Sequence, residues 1–70
     1  MDEDLNHAIV IQHELFAADS HLTAAVAHLE RAAREGVASA TEVLGIVKQA
    51  KQRNLGAMTY AGGAVERAAR

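Results

Sequence analysis

The stretch Arg31-Ala32-Ala33-Arg34-Glu35-Gly36-Val37-Ala38-Ser39-Ala40-Thr41-Glu42 decides the fold. Gly36 follows two basic residues, Arg31 and Arg34, at the end of an apolar periodic run. That is how a helix C-terminus reads, with glycine taking the left-handed position that side chains avoid. Ser39-Ala40-Thr41-Glu42 then matches a capping box, with Ser39 as cap and Glu42 folding back on it. A corner over 36–39 leaves three or four residues between two helices. So short a link forces them antiparallel, as a helical hairpin.

Upstream, Ile11, Leu15, Ala18, Leu22, Ala25, Leu29 and Ala32 step by alternating fours and threes. This is a heptad seam, with leucine in one column and mostly alanine in the other, which lets two helices approach closely. The first helix is expected over about 4–35, with Asp2 or Asp4 as cap and its acidic start lying favourably on the positive dipole end. Asp19-Ser20 is its weak point, since both side chains compete for backbone hydrogen bonds. At most a bend is expected there.

Downstream, Val43, Val47, Ala50, Asn54, Ala57, Ala61, Ala64 and Ala68 form a second seam. Leu44, Ile46, Leu55, Met58 and Val65 widen it to a core-facing stripe. Asn54 is polar within that seam and suits a register-setting role. Gly62-Gly63 cost roughly 2 kcal/mol against alanine in a helix, so the second helix is expected over about 40–61, with 62–70 a short frayed extension. The expected class is therefore all-α: one domain over 1–70, two long helices with coiled-coil-like packing.

Composition agrees. Sixteen alanines, no proline, no tryptophan, one Phe and one Tyr suit helices and starve strands. Residues 1–35 carry seven acids and two bases, or −5; residues 36–70 carry two acids and five bases, or +3. Opposite signs favour folding the halves together, although exposed pairs contribute only about 0–1 kcal/mol each. The net charge of −2 argues against nucleic acid, which calls for a basic stripe. No apolar run approaches the roughly 18–20 residues of a membrane span, and the acidic Met1-Asp2-Glu3-Asp4 start is unlike a signal peptide. A cytoplasmic protein is expected.

Chemistry is sparse. His7, His13, His21 and His28 lie 6, 8 and 7 residues apart, whereas helical metal ligands want 3 or 4. They read as solvated or interface-flanking histidines; no metal and no cofactor is expected. With no nucleophile triad, phosphate-cradling loop or carboxylate pair in the pattern, no catalytic residue is assigned and an enzyme is not expected. Ser20-His21-Leu22 and His28-Leu29-Glu30-Arg31 are poor matches to phosphorelay histidine motifs. A homo-oligomeric four-helix module with a histidine-based phosphorelay or pH-sensing role is the alternative reading. Gly45, Gly56 and Gly63 share a column opposite the apolar stripe, either an incidental solvent face or a place where another helix approaches.

Surplus apolar surface is the stronger clue. Leu5, Ile9 and Phe16 point about 100° away from Leu22 and Leu29, and Val10 points elsewhere again. One facing helix cannot cover them all, and large exposed apolar patches mark partner sites. The expected partner-binding residues are Leu15, Phe16, Leu22, Val26, Leu29, Val43, Val47 and Met58, with a helical protein or a second copy as partner.

The Leu/Ala helix, the glycine corner after Arg31 and Arg34, and the Met58-Thr59-Tyr60-Ala61-Gly62-Gly63 ending together resemble the small E-type co-chaperones of type III secretion needle subunits. The similarity runs from about Leu15 to Gly63; Leu5 to Phe16 has no counterpart. The resemblance implies a hairpin that stabilises a larger, tetratricopeptide-like chaperone, which holds the needle subunit before export from the bacterial cytoplasm. The needle subunit is itself a small hairpin, but its corner typically contains proline, and this chain has none.

Overall fold

The computed structural model describes the backbone of residues 2–70 and the side chains of 3–70. Two helices account for nearly all of it: α1 spans Asp2–Arg34 and α2 spans Ala38–Ala69. They pack antiparallel along their length into a rod of 53 × 14 × 11 Å, close to the roughly 50 Å that a 33-residue helix should measure. There is no strand and no third layer among the described residues.

The corner is tighter than the sequence suggests. Gly36 has φ +86°. The Gly36 N–H donates to the Ala33 carbonyl and the Val37 N–H to the Ala32 carbonyl, both at 3.1 Å. This crossed pair satisfies carbonyls that the end of α1 would otherwise leave bare. Val37 then serves immediately as the N-cap of α2, with φ −71° and ψ 113°, and its carbonyl accepts the Ala40 N–H at 3.1 Å. Ser39 is therefore not the cap: it sits inside the first turn of α2, and no side chain caps this helix. The turn closing α1 ends on Val37, so the chain is already in helical position at Ala38. The corner is 35–37 where 36–39 was expected.

The second helix also outlasts its expected end. It runs unbroken through Gly62-Gly63 to Ala69. Gly62 is half-buried, and a Cβ added there would meet the Gln12 side chain at 3.9 Å. Val65 and Ala68 beyond it are half-buried too. Packing against α1 offsets the glycine cost, as tertiary contact commonly overrides propensity. At the other end, a capping role for Asp2 lies outside the described side chains, and Asp4 lies within the first turn of α1. No break interrupts α1 at Asp19-Ser20.

The seam itself follows a strict heptad. On α1 it is Leu5, Ala8, Gln12, Leu15, Asp19, Leu22, Val26, Leu29 and Ala33, all half-buried. On α2 it is Ala40, Leu44, Val47, Lys51, Asn54, Met58, Ala61, Val65 and Ala68. Among the described residues only Ala40 and Ala61 are fully buried. The expected seam is thus shifted in part: Ile11, Val43, Ala50 and Ala57 are exposed beside it, while Gln12, Asp19 and Lys51 occupy it.

Polar groups in that seam fix the register. Lys51 Nζ donates to Asp19 Oδ1 at 3.0 Å, with both side chains about three-quarters shielded. Asn54 Nδ2 donates to the Leu15 carbonyl at 3.0 Å and lies 3.6 Å from Met58 Sδ. A slide of one helical turn, about 5.4 Å, would break both cross-links and strand the partly buried charges. The register role expected of Asn54 has a physical basis here.

Candidate protein-binding face

Two helices cannot enclose a core by themselves. Among the described residues no large side chain is fully buried, and Val10, Ile11, Phe16, Val37, Val43, Ile46, Leu55 and Tyr60 are exposed, Ile46 by 63% and Tyr60 by 74%. The accessible surface is 5187 Å². A compact monomer of 7.4 kDa should expose only about 4,200 Å². The hairpin carries roughly 1,000 Å² more than its mass requires, close to the ~800 Å² that each partner gives up in a standard protein interface.

Four of those eight exposed side chains, Ile11, Val43, Ile46 and Tyr60, share one face, while Phe16 and Leu55 flank the seam on the opposite side. Ile11, Ala18, Ala25 and Ala32 recur every seven residues along one edge of the α1 seam, and Val43, Ala50, Ala57 and Ala64 do the same along α2. Ile11, Ala57, Tyr60 and Ala64 line a single groove of about 980 Å³ near the open end of the hairpin, so both columns share one face. Ile46 extends that face towards the corner, about 60° from the Val43 column. In a self-sufficient pair of helices such flanking positions carry charge. Here they carry small apolar residues.

Charge lies at the open end of the groove. Asp4 and His7 line it from α1, Arg67 and Arg70 from α2. The Arg67 guanidinium sits 5.4 Å from the centroid of the Tyr60 ring, a cation–π contact that holds the ring at the rim. His7 lies 3.9 Å from Glu3, and all four histidines are exposed. No group of three or more metal-ligating side chains comes together among the described residues.

The eight expected partner-binding residues divide. Leu15, Leu22, Val26, Leu29, Val47 and Met58 are half-buried between the helices, whereas Phe16 and Val43 are exposed at 53% and 41%. The first six hold the hairpin together and present only their edges. Ile11, Ile46 and Tyr60 present more surface and lie outside that set; the seven-residue columns point to Ile11, whereas nothing in the spacing points to Ile46 or Tyr60. Of the expected glycine column, Gly45 and Gly56 are exposed with open space around them, and Gly63 faces Arg67.

Compared with protein-family models, curated proteins and solved structures, the chain matches none. What the structure defines is a class: an all-α, antiparallel helical hairpin. Neither helix is long and apolar enough to cross a membrane.

Proposed function

We propose that this chain is a small helical interaction protein whose role is to be completed by another polypeptide. The observation that carries the reading is the excess of about 1,000 Å² of surface over a compact chain of the same mass. Ile11, Phe16, Val43, Ile46, Leu55 and Tyr60 stand exposed on the two flanks of the hairpin, and contiguous exposed apolar surface marks association. The resemblance to E-type secretion co-chaperones supplies the finer reading. In it the hairpin stabilises a larger helical chaperone that keeps a type III needle subunit unassembled in the bacterial cytoplasm, and no catalytic step belongs to it.

Purification of the chain from its native cell, followed by identification of what elutes with it, tests that reading. A tetratricopeptide-like chaperone together with a needle-type subunit, lost on Phe16→Glu or Val43→Glu, is the expected result. Recovery of the chain with neither would overturn the co-chaperone role.

A further inference from the structure

We propose that the face bearing Ile11, Val43, Ile46 and Tyr60 is the seat of a second copy of this chain. The product is a closed four-helix bundle with α1 of each copy against α2 of the other. The inference rests on the reading that the lone hairpin is incomplete, and names what completes it in the absence of any other protein. Three observations favour a second copy as occupant.

The first is area. The surplus of about 1,000 Å² per chain is of the size that one side of a standard dimer interface buries. The second is charge. The half containing α1 carries −5 and the half containing α2 carries +3. Setting α1 against the partner copy's α2 alternates sign around all four neighbours, while α1 against α1 would put −5 beside −5. The same arrangement leaves every adjacent pair of helices antiparallel, so their dipoles also oppose favourably. The third is shape. With both corners at the same end of the bundle, Ile11 of one copy lies level with Ala57 and Ala64 of the other, and Val43 level with Ala25 and Ala32. Large side chains of each copy therefore meet alanines of the other.

The test is the mass of the purified chain at micromolar concentration, by sedimentation or light scattering. A species of twice 7.4 kDa is expected. Ala50→Glu and Ala57→Glu, both at exposed positions of the single hairpin, should raise the dissociation constant by about 100-fold or more through charge trapped in the interface. Thr59→Glu, exposed and off this face, should leave it nearly unchanged. Dissociation should become easier as salt is added, because opposite charges meet.

A second measurement does not depend on a weakened variant. The chain has no cysteine. Ala25→Cys chains mixed with Ala50→Cys chains should therefore oxidise mainly to the mixed disulfide, since these columns meet across the two copies. A chain that stays at 7.4 kDa would overturn the proposal, as would a dimer indifferent to Ala57→Glu. A dimer tightened by salt, or disulfides formed equally well by either variant alone, would also do so. A monomer whose capture of a larger helical chaperone is abolished by Ala57→Glu would give the face to that chaperone instead. That outcome would refute the second copy and leave the interaction reading standing.

Discussion

The helix cap at the corner lends itself to a paired substitution whose two members separate the observed geometry from the one the sequence suggests. Val37 caps α2 with no side-chain hydrogen bond, leaving first-turn N–H groups without a partner from the protein. Val37→Thr keeps the branched shape and adds an acceptor where one is missing, a gain of about 1 kcal/mol. It also exchanges a methyl group at a site that is 48% exposed, forfeiting about half of the ~0.8 kcal/mol that full burial of such a group contributes. The net is a stabilisation of about 0.6 kcal/mol, or about 2–5 °C in Tm for a chain of this size. Ser39→Ala is the companion. Because Ser39 lies within the first turn of α2, alanine should be neutral or stabilising by up to about 0.5 kcal/mol through its helix propensity. Were Ser39 the cap, the same change would cost about 1 kcal/mol and lower Tm by about 4–8 °C. Thermal unfolding followed by circular dichroism, with all chains at one concentration, gives both numbers. A fall in Tm on Ser39→Ala together with no rise on Val37→Thr would refute the corner geometry.

Three further outcomes follow from named contacts. Gly36→Ala places a side chain at φ +86° and should destabilise by about 1–2 kcal/mol, read in the same melts; an unchanged Tm would contradict the left-handed corner. Gly45→Ala and Gly56→Ala meet no atom within 4 Å and should each stabilise by about 0.8–1 kcal/mol, so a loss on either would show a helix packed on that side. Asn54→Ala removes the donor to the Leu15 carbonyl and should cost about 0.5–1.5 kcal/mol in denaturant unfolding. Combining it with Asp19→Leu and Lys51→Leu should recover stability but broaden backbone amide signals as the register loosens; sharp signals in the triple variant would remove the register role.

The hairpin was legible because its signals are local. Gly36 after Arg34, alternating threes and fours in both halves, and the absence of proline each point to helices joined by a short link. The phase of the seam was harder to read. Ile11 and Ala50 look like better seam residues than Gln12 and Lys51, one position away. The long side chains win because Lys51 finds Asp19 across the interface and Gln12 lies over Gly62. Such pairings depend on which residues face each other, which one strand of periodicity does not contain. The end of α2 was missed for a related reason: the cost of Gly62-Gly63 is local, while the packing of Val65 and Ala68 that offsets it comes from α1. The cap was missed because Ser39-x-x-Glu42 is a sound pattern displaced by the two-residue reach of the turn ending on Val37. For the candidate face, the apolar surplus could be counted in advance. Its location could not, since that required the true phase of the seam.

In the proposed function one molecule of this chain is an unfinished structure. Thermal unfolding over a hundredfold dilution series tests this most directly, because only association makes the midpoint depend on concentration. The midpoint should fall steadily as the chain is diluted, with an apolar dye binding increasingly before unfolding begins. A single sharp transition at one temperature throughout the series, with no dye uptake by the folded chain, would contradict it.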